Sequence, residues 1–479
     1  MSTPVPDPPQ AQGTPVSQDP ALAPRSRPQP SPSARVVLTS RLGHLALAML
    51  AVELMAGMQT YINQTVLPLM ATDLGARAHY GLVTAAAMVP TFVTMPLGGA
   101  MLQRWRADRL MTVLTAVLVA GAVVGALAPS IGVYVLGEVL RGLAAGALAT
   151  VSTGVLVAGL PEAWRRLFLA ASSAMWIVSS LIGPVYASVL SSAWSWRWAL
   201  VGYVPVLVAA RLVMAREVRG LGVSGDDDAP PWAAALTLAG GVALIGLVPA
   251  SSAWIWPAGA IGLACAVWAC ARVFPAGVMR LAPGRPAAVA TLAWVCAVYF
   301  ALDFLISPAS HDVLGLGPVA VGWALTANGL AWSAVAMWCG ARPARTPRRF
   351  LLRATAGALS FAAGSGLLVM ALSGLGPWWL VHVGWTLAGI GMGLTHQDTM
   401  IRCVTDPGER GLDSDGISQT SVATAVTVAG NAGGATLGTL VTSLTAPTAA
   451  GVEAAIVVPV VVVLGLVLAL TPVLSRRAA

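Results

Sequence analysis

Apolar residues along this chain are gathered in about fourteen runs, separated by short segments that carry most of the charge. Each run has about 20 residues, the length at which an α-helix crosses the hydrocarbon layer of a bilayer with its backbone hydrogen bonds made internally. The runs are too long and too uniformly apolar for the alternating strands of a membrane β-barrel. The pattern therefore predicts an all-α polytopic membrane protein with about fourteen transmembrane helices.

The runs divide the chain into four parts. Residues 1–36 are rich in Pro, Ser, Gln and Ala and lack the apolar stretch of a secretory signal, so they predict a disordered cytoplasmic tail. Residues 44–215 contain six runs and residues 287–474 another six, each set predicting a six-helix bundle. The runs within 232–273 predict two inserted transmembrane helices.

The amino-acid composition also indicates that the protein is surrounded by lipid. Of the 479 residues, 57% are hydrophobic and 10% are charged, whereas a soluble domain carries about 25% charged residues. A chain with so few charges has too little polar surface to face water on all sides. Lipid is therefore the predicted surrounding.

The basic residues indicate an orientation. The formal net charge is +8, and every basic residue apart from the histidines is an arginine. With a cytoplasmic N-terminus, the predicted outer segments carry only Arg77 and Arg197, and the inner segments carry the large majority, Arg211 among them. This asymmetry fits the positive-inside rule and predicts a protein of the cytoplasmic membrane with both termini in the cytoplasm. Without aromatic residues between the arginines, it does not indicate a nucleic-acid surface.

A weak internal repeat joins the two sets of six runs. The loop QRWRADR follows the second run, ARPARTPRR follows the tenth, and both come after a glycine-bearing helix end. Repeats of this kind are the usual construction of secondary transporters, whose binding site lies between the repeats near the middle of the membrane.

One arginine lies where lipid alone does not explain it. Arg141 falls at about mid-depth in the fourth run, where an isolated charge costs about 2.5–3.5 kcal/mol on insertion scales. Glu138 is three residues earlier, on the same helix face. Two interpretations remain open: a self-neutralising ion pair that fixes helix packing, or a pair bordering a hydrated cavity that steers protons or substrate.

Two further acids lie in apolar runs and are candidate proton carriers. Glu53 begins a polar stripe along the first run that continues through Gly57, Thr60 and Gln64, with Gln59 and Asn63 beside it. Asp303 lies in the ninth run. Burial disfavours the charged form of a carboxylate, which lets it take up a proton. For Asp303, a side chain that only reaches the outer interface is an equal alternative.

Polar stripes recur in the twelfth and thirteenth runs. Hydroxyl residues in membrane helices more often support close packing than bind ligands. His382 beside Trp385 and Thr386 is the stronger candidate for a substrate cavity, because a titratable ring and an aromatic ring on one face suit an organic molecule. The stripe of the thirteenth run consists of Thr420, Thr424, Thr427 and Asn431.

Motifs of soluble enzymes are missing from the sequence. There is no phosphate-binding loop, nucleophile elbow or HExxH motif, and the five cysteines form no CxxC pair. We therefore expect no enzyme activity, no metal and no cofactor, and energy taken from an ion gradient or the substrate's own gradient.

Five segments resemble motifs of the major facilitator superfamily and, within it, the fourteen-span drug:proton antiporters. They are MQTYINQTVLP (58–68), GGAMLQRWRADR (98–109), LRGLAAGALA (140–149), SSLIGPVYAS (179–188) and WRWALVGYVP (196–205). The likeness covers about 45–475. It implies conformational roles for motif residues in the loop after the second run and in the fifth and sixth runs, namely Gly99, Arg104, Arg109, Gly183, Pro184 and Arg197.

The chain departs from the family motifs at several acidic or polar positions. The acids expected in the first span and in the loop are Gln59 and Gln103 here, and Arg106, Ala144 and Tyr203 replace a Gly, a Gln and an Asn. Without the first-span acid, any proton would have to be carried by Glu53, Glu138 or Asp303.

The resemblance implies a secondary transporter that exports a small organic, drug-like or antibiotic molecule in exchange for protons. Its substrate would bind between the two bundles, in a cavity lined by Thr60, Asn63, Gln64, His382, Trp385 and Thr386. We expect a monomer whose partners are substrate, protons and lipid. The alternatives are proton-coupled or facilitated uptake of a metabolite and, in a different class, a membrane enzyme or sensor.

Overall fold

The computed structural model describes residues 39–219, 231–249, 251–404, 419–446 and 453–479. The predicted tail, residues 1–36, lies outside these ranges. The first half of the protein contains α1 (Arg41–Asp73), α2 (Tyr80–Arg104), α3 (Ala107–Ala126), α4 (Ile131–Gly159), α5 (Glu162–Ala193), α6 (Trp196–Val201) and α7 (Val204–Val218). A helix pair follows, α8 (Trp232–Leu247) and α9 (Ile255–Val273).

The second half contains α10 (Arg285–Asp312), α11 (Pro318–Ala341), α12 (Pro347–Leu372), α13 (Leu380–Val404), α14 (Gln419–Leu444), α15 (Glu453–Ala469) and α16 (Thr471–Ala478). Ten segments of the described chain are long and apolar enough to cross a membrane, with α6–α7 and α15–α16 each counted as one. Together with α5, α8, α13 and α14 this gives the fourteen expected helical segments, so the predicted fold class is confirmed.

Each half has its own apolar core. Buried residues of α1–α7, such as Ile62, Met111 and Val151, form the first core, with Ala446 as an outlying member. Buried residues of α10–α16, such as Leu302 and Phe361, form the second. Because most of the apolar contacts of each half are internal, the two halves are distinct packing units.

The helix pairings repeat between the halves. In the first half α1 packs against α5, and α4 packs against both α2 and α3. In the second half α10 packs against α14, and α13 packs against both α11 and α12. Helices at equivalent places in the two sets therefore make equivalent contacts.

The helix pair α8–α9 covers one seam between the halves. A third apolar core joins Phe92 of α2, Val242 of α8, Ala266 of α9 and Ala432 of α14. The other seam is formed by α5 and α11, which pack directly against each other. Small residues bring the backbones together there, because a Cβ at Gly322 or Gly329 would meet Ser188 or Ser180.

Helices α1 and α10, the first of each half, end in matching ways. Each ends on an aspartate, Asp73 or Asp312, and a glycine with positive φ follows within three residues, Gly75 (φ 62°) or Gly315 (φ 66°). Glycine takes this conformation without the penalty of a Cβ and stops the helix. Both aspartates lie at the same end of the molecule, called here the Asp73 end; the opposite one is the Arg41 end.

Candidate functional site

Arg141 and Glu138 form a buried ion pair in α4. Arg141 Nη1 lies 2.5 Å from Glu138 Oε1, and both Arg141 Nη atoms lie 3.2 Å from Asn63 Oδ1 of α1. The side chains of the pair are 7% and 3% exposed. The pair predicted from the i,i+3 spacing is therefore formed, and it also ties α4 to the polar stripe of α1.

Close helix packing encloses this pair. The Arg141 side chain passes over Gly121 of α3, where an added Cβ would lie 2.9 Å from Arg141 Cγ. Tyr134 and Tyr203 are close enough to interact with it electrostatically. Arg141 Nε has no hydrogen-bond partner among the described residues. The pair thus lies inside the first half, between α1, α3 and α4.

A cavity of about 380 Å³ lies in the first half, nearer the Arg41 end. Its lining is mainly apolar, from α1, α3, α4, α5 and α7, and its polar members are Glu53, Gln59, Ser152 and Arg211. Glu53 and Arg211 are near enough for their charges to interact. The cavity is large enough for a small organic molecule and presents both signs of charge.

Arg211 belongs to this site although the sequence suggested an orientation signal. It lies within α7, is 9% exposed, and donates from Nη1 to Ser152 Oγ at 3.1 Å. Its place inside an apolar run, several residues before Arg216 and Arg219, is the sequence feature that separates it from the loop arginines.

Asp303 joins the two halves. Gln64 Nε2 of α1 donates to Asp303 Oδ2 of α10 at 2.5 Å. Gln64 is buried, and Tyr61 and Tyr299 are within electrostatic range of the carboxylate. Asp303 therefore faces the first half and is not directed to the outer interface, one of the two positions considered from the sequence.

The first helix connects these polar features. Glu53 lines the cavity, Asn63 accepts from Arg141, and Gln64 donates to Asp303. At 1.5 Å per residue, Glu53 and Asn63 are about 15 Å apart along the axis. Thr60, expected in the same stripe, is exposed, and its hydroxyl hydrogen-bonds to Ala56 O in its own helix.

The predicted cluster in α13 separates into two environments. His382 Nε2 lies 2.9 Å from Ala320 O of α11, and Thr386 Oγ1 donates back to His382 O at 2.6 Å. Trp385 is fully buried and stacks on Tyr299 with ring centroids 5.4 Å apart. Neither His382 nor Trp385 lines the cavity at Glu53. The side chains of Thr420, Thr424, Thr427 and Asn431 lie outside the described part of the chain.

The motif residues of the first half have varied contacts. A Cβ at Gly183 would lie 2.9 Å from Tyr61 Cβ, so this glycine permits the close contact of α5 with α1. Pro184 O accepts from Ser188 Oγ at 2.6 Å. Arg104 and Arg109 are exposed, and Gly99 faces open space.

Arg197 fastens the Asp73 end of the first half. Its Nη1 lies 2.6 Å from Asp73 Oδ2, its Nη2 donates to Ala128 O at 3.1 Å, and Trp196 Nε1 donates to Asp73 Oδ2 at 3.1 Å. The contacts join α1, the α3–α4 connection and α6. All of them lie within the first half.

A buried acid of the second half was not identified from the sequence. Asp398 of α13 is 3% exposed; it accepts from Arg353 Nη1 at 2.7 Å and from Ala344 N at 3.0 Å. These bonds hold the ARPARTPRR loop against α13. Its position in an otherwise apolar helix, four residues before Arg402, was the available signal. Throughout the described ranges, no three His, Cys, Asp or Glu side chains are grouped as metal ligands.

Comparison with known families decides the classification. The family model described as Major Facilitator Superfamily matches residues 49–411, more than half of the chain. The protein belongs to the Major Facilitator Superfamily. The resemblance seen in the motifs of the first half is thereby confirmed.

Two similar proteins have names that refer to multidrug efflux or to fatty acid resistance. The probable multidrug-efflux transporter Rv1634 of Mycobacterium tuberculosis is 30% identical over 171 residues, 36% of each chain. The fatty acid resistance protein FarB of Neisseria gonorrhoeae is 29% identical over 150 residues, 31% of this chain and 30% of FarB. The matched segments thus span about a third of these relatives.

A solved structure supports the fold over nearly the whole chain. The peptide transporter POT in complex with sulfate matches with a TM-score of 0.61 and 15% identity, covering 90% of this chain and 95% of the other. At that identity the likeness shows the fold alone.

Proposed function

We propose that this superfamily member is a secondary active transporter that exports a small lipophilic organic molecule across the cytoplasmic membrane in exchange for protons. The similarity of about a third of the chain to a probable multidrug-efflux transporter supports export as the direction. Both termini would lie in the cytoplasm, which makes the Arg41 end the inner one and the Asp73 end the outer one.

One observation carries the proposal: the halves are joined at the Asp73 end, and the charged cavity lies toward the Arg41 end. Among the described residues, hydrogen bonds between the halves link Gln64 to Asp303, Arg77 and Tyr80 to Asp312, and Ser188 to Pro318 O. Alternating access requires one end to close while the other admits substrate. With the Arg41 end taken as the inner one, we interpret this arrangement as the inward-facing state.

The division into residues 44–215, 232–273 and 287–474 suits that mechanism. Each half has its own core, so the halves would rock as rigid bodies. The inserted pair would remain packed along the seam between α2 and α14 during this motion. Substrate would enter the cavity at Glu53 and Arg211 and pass between the halves as the outer end opens.

Proton coupling is assigned to three carboxylates. Glu53, Glu138 and Asp303 all lie within the helices. Glu53 and Glu138 are each close to an arginine of their own half, whereas Asp303 is bonded to the opposite half. In the closed outer end Asp303 accepts from Gln64 of the opposite half. A proton on Asp303 removes its charge and weakens that bond, which links proton binding to the opening of the outer end.

Neutralising these acids tests the proposal. Purified protein in liposomes with an imposed pH gradient should accumulate some members of a panel of labelled lipophilic compounds against the direction of proton flow. Glu53→Gln, Glu138→Gln and Asp303→Asn should each be assayed, and at least one should retain substrate exchange but lose its dependence on the gradient, because a neutral amide carries no proton.

The matched control is Glu217→Gln. Glu217 pairs with the exposed Arg41 at 2.9 Å, so the same chemical change occurs there outside the membrane interior and should leave coupled transport intact. Transport that ignores the gradient in the parent protein would exclude proton antiport. Coupled transport in all three acid variants would show that the carrier is another group.

A further inference from the structure

At the Asp73 end, one carboxylate, that of Asp312, links the two halves. Asp312 Oδ1 accepts from Arg77 Nη2 at 2.5 Å and from Arg77 Nε at 3.1 Å, and its Oδ2 accepts from Tyr80 OH at 2.7 Å. The Asp312 side chain is 4% exposed, although it lies at a helix end. Three donors from one half therefore hold a buried charge of the other.

The position of Asp312 explains why its carboxylate needs these donors. Asp312 is the last residue of α10, where the free carbonyl groups and the helix dipole repel a negative charge. Burial adds a desolvation penalty. Arg77 supplies the compensating positive charge, and Arg77 and Tyr80 both come from the turn that opens α2. The carboxylate is thus stabilised only while the halves are together.

The other half contains a natural counterpart. Asp73 ends α1 as Asp312 ends α10, and Asp73 also accepts from a guanidinium and an aromatic side chain, those of Arg197 and Trp196. These donors belong to the same half as Asp73. One aspartate therefore fastens a single half, and its counterpart fastens one half to the other.

We propose that Arg77, Tyr80 and Asp312 form the gate of the outer end and set how often this end opens. The inference rests on the proposed alternating-access function. The cluster must break for substrate to leave, and it forms again when the emptied protein returns to the inward-facing state. The three residues act as positioning residues, since none of them lines the cavity at Glu53.

An introduced cysteine at a buried position can measure how often the gate opens. The five native cysteines are first replaced by alanine, and Ser188→Cys is introduced as the reporter. Ser188 is 4% exposed, and its Oγ donates to Pro318 O of the other half at 2.9 Å. In nanodiscs both faces of the protein meet solvent, so the rate of labelling by a hydrophilic maleimide measures opening of the Asp73 end without regard to membrane orientation.

Asp312→Asn and Arg77→Gln should each raise the labelling rate about tenfold, the change in opening that corresponds to about 1.4 kcal/mol and a lost charge-assisted hydrogen bond. The exchanged pair Arg77→Asp with Asp312→Arg should restore slow labelling. Asp73→Asn should change the rate less than twofold, because its partners lie within one half. A single symmetric peak in size-exclusion chromatography confirms that each variant is folded.

Unchanged labelling in Asp312→Asn, or an equal increase in Asp73→Asn, would overturn the gate. The export assay separates this inference from the function on which it rests. If the parent protein transported none of the compounds but showed the labelling pattern above, the proposed function would be wrong. The inference that Arg77, Tyr80 and Asp312 hold the outer end closed would still be supported.

Discussion

Arg141→Leu should lower the free energy of unfolding by about 3–5 kcal/mol, the range for breaking a buried ion pair on one side. The Glu138 carboxylate is 3% exposed and would lose its cation in a membrane-buried helix. Asn63 Oδ1 would lose both of its donors from Arg141. Thermal unfolding in detergent, followed by tryptophan fluorescence, should show a clearly lower midpoint than the parent protein.

A second substitution separates charge from packing. Glu138→Leu together with Arg141→Leu removes both charges, and apolar replacements of buried pairs are often neutral or stabilising. The double variant should therefore unfold close to the parent midpoint, or above it. Equal losses in the single and double variants would mean that the Arg141 stem, packed on Gly121, matters more than its charge.

The double variant also distinguishes the two interpretations of this pair. If the pair only fixes helix packing, coupled transport should survive its removal. If Arg141 attracts a carboxylate that has released its proton, transport should continue only as uncoupled exchange. Stability and coupling measured on the same preparation decide between these outcomes.

Gly329→Leu should abolish transport and leave the protein folded. At Gly329 of α11 an added Cβ would meet Ser180 of α5, with Ser180 Oγ at 2.6 Å. Ser180 is 2% exposed, so the leucine has no open space at this seam. The halves would be held apart at the middle of the α5–α11 seam, which prevents the close contact between them that the inward-facing state requires. Transport in liposomes should therefore fall, whereas the labelling rate of the Ser188→Cys reporter should rise.

Gly366→Leu is the matched control for this wedge. Gly366 lies six residues before the end of α12 and has no heavy atom within 4 Å of an added Cβ, so the leucine side chain has open space at its attachment point. It should leave both transport and labelling near the parent values. Normal transport by Gly329→Leu would show that α5 and α11 need not approach this closely during the cycle.

The sequence predicted the fold well because the bilayer restricts the choices. A chain in lipid must satisfy its backbone hydrogen bonds internally, so each apolar run becomes a helix. The short basic loops after the second and tenth runs pointed to a repeat, and the helix pairings repeat accordingly. The spacing of Glu138 and Arg141 likewise predicted a contact, since residues three apart lie on one helix face.

Particular residues mark where this reasoning stopped. Arg211 and Asp398 were not recognised as buried groups, and Asp312 received no role. Each lies in the last third of an apolar run or at its end, where a charge reaches either the membrane surface or a neighbouring helix. The hydropathy of the run does not differ between a charge at the membrane surface and a charge that contacts a neighbouring helix. Only the neighbours, Ser152 for Arg211 and Arg353 for Asp398, distinguish them.

What the sequence determined by itself is therefore the helical architecture, because hydrogen bonding within lipid depends on the local chain alone. The tertiary structure decided which polar and charged side chains lie close together: Glu53 and Arg211 around a cavity, Gln64 and Asp303, and Arg77 and Asp312. Arg77 and Asp312 are separated by 235 positions, and no local pattern specifies a pairing at that distance. It depends on how two independently packed halves are placed against each other.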